Sequence, residues 1–502
     1  MRHSTLIRSG VCVAAIIAGG AAWADVTPQD VWNNWKSNMS MAGPDVVQSA
    51  SESTSGNTLT VSGLSLNFKN KQNDGTAKID VGDVVFTGNG DGTVTVTVPE
   101  KMPFNMDMTD SSGSQTISAD VIAAGMKMVV SGTPDAMNYA VSANRYGFAL
   151  TGVTQDGDAV PTDATVNLNN VSANYLAKTG DMDGFTYSMT ADTLDMLVES
   201  KDQQAGPFTL SGQIGQVAAT GNVTMPKGMD MSNPSAAYAQ GFAFQGGYTF
   251  GSANYLFSSD ASDGKTDGTI SLQDASLDAA LSKDGLTYDT TVNGLKVSVT
   301  TSSLPFPINI SMSQLAYGLT FPLSKSDTPV PYAMNVNLAD VAVNEEIWSM
   351  IDPTGMLPHD PATAKIDVSG TATLAYDLMD PAQAAAAAAD APGEVNSVDL
   401  NDLNVAIAGA SLTGTGHVTL DNTDMTTMPG MPRPDGSITL QLNGANGLLD
   451  TLVKMGLVPD DQAQMGRMMM GMFAKVVGDD QLTSTIEFTK DGQILANGQR
   501  IK

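Results

Sequence analysis

Apolar and polar residues alternate with a period of two through most of the chain. Val94, Val96 and Val98, then Phe185, Tyr187 and Met189, then Ile308, Ile310 and Met312 mark one side, with Ser, Thr, Asn and Asp between them. Successive side chains of a strand point to opposite faces, so these runs predict strands that are dry on one side and wet on the other. Asn-Gly and Asp-Gly steps fall between the runs, at Asn89-Gly90, Asp91-Gly92, Asp183-Gly184, Asp263-Gly264, Asp284-Gly285 and Asn293-Gly294. Such steps tolerate the positive φ of tight hairpin turns. The expected fold is mainly β: extended, bent antiparallel sheets built from repeated hairpins, with an N-terminal helix and a small C-terminal α+β portion.

A second pattern modifies the first. The sequence apolar-x-(Gly/Asp/Asn/Gln)-apolar-x-apolar begins at Val61, Val81, Leu168, Leu272, Val292, Met312, Leu338 and Leu400. Apolar residues at i, i+3 and i+5 cannot share one face of a regular strand, so the small or polar residue predicts a bulge or tight bend that restores a common face. Starts at 61 and 81, and at 272, 292 and 312, are 20 apart, roughly two average strands with their turns. Either bent hairpins repeat along an extended sheet, or a loose pattern recurs by chance in a β-rich chain. A sharper echo links Met102-Pro103-Phe104-Asn105-Met106-Asp107-Met108 to Met225-Pro226-Lys227-Gly228-Met229-Asp230-Met231, with Met428-Pro429-Gly430-Met431 as a shorter copy. Each copy follows a strand-like segment and leads toward turn-rich sequence.

Helical spacing is confined to a few places. Thr27 is a cap with Pro28 at the first position, and Val31, Trp32, Trp35 and Met39 then fall on one face, within a helix expected in 25–42. A short turn is expected after Asn344, where Glu345 and Glu346 favour a helix start. A helical pair is expected at Leu448 to Leu457 and about Asp461 to Val477, separated at Pro459 and flanked by strands. In the second of these, Met465, Met468, Met469, Met470 and Met472 read as a core-facing stripe. Residues 382–394, an alanine run ending in Asp-Ala-Pro-Gly-Glu, have nothing large to pack and read as a linker. The expected organisation is a β-rich repeat domain over 43–381, that linker, and a C-terminal β domain over 395–502 with the helical pair.

The N-terminus reads as a signal peptide. Arg2 and Arg8 precede an apolar stretch from about Val11 to Ala22, and Ala22 and Ala24 give an Ala-x-Ala site with cleavage expected after Ala24. Removing these 24 residues leaves 478 of 502 and takes away Cys12, the single cysteine, so the expected periplasmic chain has no disulfide or thiolate chemistry. It also leaves 22 basic against 53 acidic residues, a formal charge of −31. Such a surface repels nucleic acid and anionic headgroups alike. The acidity comes from 46 Asp and only 7 Glu, a bias toward turns and away from helix interiors. No later segment has the roughly 18 consecutive apolar residues of a transmembrane helix. With aromatics at 6%, the girdles of an outer-membrane barrel are not supplied either.

Candidate chemistry is sparse. Thioethers are soft ligands for Cu(I), and Met102, Met106, Met108, Met225, Met229 and Met231 are the metal-ligand candidates, with Met425, Met428 and Met431 as a further group. The competing reading is packing, since Met fills irregular apolar gaps and no histidine lies near any cluster. Short Asp spacings such as Asp260, Asp263 and Asp267 match neither the twelve-residue calcium loop nor the Asp-containing nonapeptide, so they read as turns. Ser262-x-x-Lys265 lies in an Asp/Gly turn, and no Gly-x-Ser-x-Gly elbow, phosphate loop or zinc spacing occurs. His359 and His417 are the histidines left after cleavage, one in a Pro-flanked loop and one in a strand. The expectation is therefore a protein that is not an enzyme and holds no cofactor.

Two resemblances bear on function. Val31-Trp32-Asn33-Asn34-Trp35 leading to Gly43, the segment Thr58 to Leu64, and the closing Asp491-Gly492-Gln493-Ile494-Leu495-Ala496-Asn497-Gly498 resemble a domain-of-unknown-function family of exported proteins of Gram-negative bacteria. More remotely, Val398-Asp399-Leu400 through Gly409-Ala410-Ser411-Leu412-Thr413-Gly414-Thr415-Gly416 is similar to the AsmA-type β-repeat envelope proteins. That likeness implies a connection with lipid transport and envelope homeostasis. It carries no site residues with it, and proteins of that type usually have a membrane anchor, which is not expected here after cleavage. Bent sheets with one apolar face must cover that face with something. The leading expectation is therefore a periplasmic binding protein for a lipid or other hydrophobic ligand. The alternatives are a scaffold or partner-binding protein and a methionine-cluster copper protein.

Overall fold

The computed structural model describes residues 26–40, 45–69, 75–110, 113–201, 206–227, 234–262 and 264–501. The signal segment and its cleavage site, Gly43, Met229, Met231 and Asp263 lie outside these residues. Among the described residues, 28 strands join into one antiparallel sheet, as the period-two alternation predicts. Neighbours in space are almost always neighbours in sequence. Apparent exceptions are single traverses broken in two: Ala243–Phe250 and Ala253–Ala261 lie in line, pairing with the C-terminal and N-terminal parts of Phe208–Pro226. Gly264–Leu272 and Asp274–Ser282 do the same against Gly285–Thr301, and Gly113–Ala124 and Lys127–Thr133 against Ala136–Gln155.

The breaks and bulges fall on one line across the sheet. Backbone φ is positive at Gly63 (62°), Asn170 (52°), Gln216 (52°), Gly294 (63°) and Asp340 (52°). Four of the five are the third residue of the apolar-x-polar-apolar-x-apolar pattern. Each resets the parity of its strand, so apolar residues before and after it face the same side. Asn293-Gly294, which reads locally as a hairpin, lies inside the strand Gly285–Thr301; the positive φ that closes a turn elsewhere here bends a strand. Residues on both sides of this crease pack together. Leu168, Leu194 and Ile214 from one arm meet Val171, Ala191 and Val217 from the other, so the apolar side is the inside of the bend.

The N-terminal helix, α1 (Pro28–Ser40), begins as its cap predicts: Thr27 Oγ1 accepts from Asp30 N at 3.2 Å while Asp30 Oδ2 accepts from Thr27 N at 3.0 Å. Its Trp32 is fully buried, 5.9 Å from the Phe86 ring, with Trp35 edge-on to the same ring at 5.4 Å. Asn34 accepts a buried hydrogen bond from the Tyr139 hydroxyl at 2.8 Å. This cluster continues through Val61, Val94, Val130 and Met137 to Tyr175 and Phe185. Burial there pushes the Tyr175 phenol up to about 12.

Five further helices are described: α2 (Pro234–Ala239), α3 (Glu345–Ile351), α4 (Pro381–Ala389), α5 (Ala445–Lys454) and α6 (Asp460–Phe473). The alanine run supplies α4, capped by Asp380, whose carboxylate accepts from Ala382 N at 2.9 Å. The strands on either side of it, Ala362–Leu374 and Gly393–Ile407, pair with each other. At the C-terminus, α6 ends at Phe473 and not at Val477. Lys475–Gly478, which carries β-branched Val476 and Val477, becomes an edge strand. The methionine stripe of α6 is also corrected: Met465, Met468 and Met472 point outward and Met469 sits at the edge of the sheet-facing side, each more than half exposed, because Ala463 and Met470 occupy the inward side.

The two copies of the methionine-proline echo are not equivalent. The first lies wholly in the strand Lys101–Asp110. In the second, Met225-Pro226 closes the strand Phe208–Pro226, and its remaining methionines, Met229 and Met231, lie outside the described residues.

Candidate ligand-binding face

Directly opposed residues of antiparallel strands share a face, so the register traces files of side chains across the sheet. One file starts in the α1-covered core at Val94, Val130 and Tyr139 and passes to Tyr175, Tyr187 and Gly221. It runs on through Gly246, Ala279, Tyr288, Leu319, Met334 and Val368 to Leu400, Gly416, Ile438 and Ile486. No member is charged. A parallel file runs Val141, Ala173, Met189, Ala219, Tyr248, Leu277, Thr290, Tyr317, Val336 and Ile366. Its one aliphatic hydroxyl, that of Thr290, donates to the Ser276 carbonyl at 3.0 Å. Beside the crease, Phe250, Ala275, Val292, Leu315, Leu338 and Ala364 lead to Val405, Leu412, Leu442 and Leu482.

The other arm repeats the arrangement, with Tyr255, Ile270, Val297, Ile310 and Val343 in register. The reverse face is polar: Asn174, Ser188, Thr220, Gly247, Asp278, Asp289, Gly318, Asn335 and Asp367 oppose one another in turn. Partial burial, with the neighbouring Asp278 charge, raises the Asp289 carboxyl above its ordinary value.

Coverage separates two stretches of the apolar side. Under α1 its members are sealed; farther along they are not. Tyr248 is 45% exposed and Met334 41%, and Ile270, Ile310, Phe321 and Ile366 are each exposed by more than a third. Aromatic rings pave part of this surface. Tyr288 and Tyr317 lie 6.1 Å apart, and the Tyr187 ring lies across Gly221, where a Cβ would collide with it. This is the rescue of a strand glycine by an aromatic neighbour.

The candidate methionines do not form one group. Met102 is buried beside the α1 cluster, while Met106 and Met108 line a shallow pocket with Phe68. Met225 lies on a strand separated from theirs by four others in the sheet. Of the further group, Met428 is buried and Met425 and Met431 are about half exposed. Among the described residues no three His, Cys, Asp or Glu side chains converge, and no helix is long and apolar enough to cross a membrane.

The histidines serve local structure. His359 stacks flat on Trp348 at 4.5 Å and bonds Glu345 at 2.9 Å, tying α3 to its following loop. That loop is held by buried Asp352, whose carboxylate accepts from Leu357 N at 2.6 Å; this bond keeps it below the usual carboxylate range. His417 lies on the polar face beside Asp399. Sequence reasoning did not single out Tyr248, Tyr288, Tyr317 and Met334 as one surface. The signal that links them is register, which period-two alternation leaves undetermined.

Residues 256–499 match the model of a family described as an uncharacterised protein conserved in bacteria (DUF2125). The match begins just after the buried clusters end and spans most of the uncovered apolar face together with α5 and α6. No curated protein matches the chain.

Proposed function

We propose that this protein is a non-enzymatic binding protein of the bacterial envelope that holds a lipid or other hydrophobic ligand along the apolar side of its bent sheet after export to the periplasm. One observation carries the reading: the apolar files of the α1-covered core continue without a charged residue into strands where no helix covers them. Contiguous apolar surface of this kind on a water-facing protein marks a binding site. The polar reverse face keeps the molecule in solution, and the strong negative charge favours ligands whose headgroup is not anionic. Native mass spectrometry of protein purified from its own periplasm tests this. Co-purifying lipid is the expected result, and a bare mass sinks it. A partner-binding scaffold is the second reading, favoured by the outward methionine stripe of α6, since exposed Met-rich surfaces suit adaptable protein contacts. It predicts a bare monomer mass and capture of a defined protein partner lost on changing Met465 and Met468 to Glu.

A further inference from the structure

The apolar files run beneath α6, and there the surface forms an open apolar pocket. Leu412, Leu440, Leu442, Leu482 and Ile486 form its floor, and Met469, Met470 and Phe473 form its roof, around about 400 Å³. That volume is in the range of small-molecule sites, roughly 300–1,000 Å³.

Resting on the reading that the sheet takes a hydrophobic ligand, we propose that this pocket is a discrete site for the terminal part of an alkyl chain whose uncharged headgroup stays outside. The polar groups at the pocket are already engaged. Ser484 Oγ donates to the Phe473 carbonyl at 2.6 Å, and the same carbonyl accepts from Asn497 Nδ2 at 3.0 Å. A ligand donor or acceptor placed inside would go unpaired, a penalty of about 1–3 kcal/mol, so the occupant is hydrocarbon. The roof selects a flexible chain over a rigid ring system, since two of its three side chains are unbranched thioethers that re-pack around varied shapes.

Continuity supplies the route. Ile438 and Ile486 lie at the far end of the file that begins at Val94, while Leu412, Leu442 and Leu482 lie at the far end of the one that passes Val292, Leu315 and Leu338. A chain lying on the uncovered face therefore reaches the pocket without crossing a polar position. The excess of 53 acidic over 24 basic residues in the sequence disfavours an anionic headgroup at its mouth.

The test is photolabelling of the full-length protein with a diazirine-tagged monoacylglycerol, followed by peptide mapping. Labels are expected on the Met469 to Phe473 segment and on the strand Gln481–Phe488. Leu440→Trp fills the pocket from the floor and Met469→Trp fills it from the half-exposed roof, so the second spares the sheet. Either is expected to cut this labelling several-fold while labelling of Tyr288, Tyr317 and Met334 persists. Labelling confined to those mid-sheet residues and unchanged in both variants overturns the pocket but leaves the sheet-face reading standing. No labelling above background overturns both.

Discussion

The same apolar side has two finishes. Around Phe86 and Tyr139 it is closed by α1, with Trp32 fully buried and an internal hydrogen bond from Tyr139 to Asn34. From Tyr248 to Ile366 the same files stand with Met334, Tyr248 and Ile366 partly in solvent. The strands in the two stretches follow one pattern, so the contrast comes from what lies on top. Where a helix covers the face, its burial is spent on folding; where none does, the same surface stays partly in water.

Truncation separates the two most widely. Trp32→Ala is expected to cost about 3–5 kcal/mol, the range for emptying a large aromatic site. Met334→Ala should cost only about 1 kcal/mol, because much of its surface is already wet. Equal losses in urea denaturation would break the comparison. A charge sharpens it: Met334→Glu is expected to unfold at nearly the wild-type denaturant concentration yet lose most of the lipid retained on purification. If lipid retention is unchanged, the uncovered stretch is not the binding surface.

The crease comes next in size. Gln216 holds a left-handed backbone conformation, which costs a residue with a Cβ about 1–2 kcal/mol; Gln216→Val, whose β-branching tightens that backbone further, should destabilise, and Gln216→Gly, which removes the cost, should not. Thermal unfolding of the pair checks this. The smallest effect lies on the polar reverse face, where Asp278 directly opposes Asp289. Removing that like-charge contact in Asp289→Asn should stabilise by at most about 1 kcal/mol. The folded-state pKa of Asp289 is raised, so its ionisation lowers stability as pH rises through that value. The gain from Asn should be full at neutral pH and disappear as pH falls below the ordinary Asp range. A gain independent of pH would assign it to packing.

Much of this architecture was legible because its signals are local. Alternation located strands, Thr27 and Pro28 located α1, and the resetting pattern located the bends at Gly63, Asn170, Gly294 and Asp340. Gln216 escaped because Ala218 and Ala219 follow Val217, and alanine marks an apolar face weakly. The α6 stripe was misjudged for a different reason. Spacing of three and four places Met465, Met468, Met469 and Met472 on one side of a helix, yet it carries no information on whether that side meets the sheet or the solvent. Which part of the apolar face lies uncovered depends on where α1 and α6 settle, and that is decided by contacts far apart in sequence, such as Trp32 with Phe86.

Because each traverse of the sheet pairs with the next one in sequence, the chain grows by appending units of one cross-section. Shortening it by an internal pair of neighbouring traverses, for instance those between Gly264 and Thr301, would bring like profiles into register at the junction. The length of the uncovered apolar face is thus set by the number of units, and under the proposed reading a deletion of this kind should shorten the longest ligand retained.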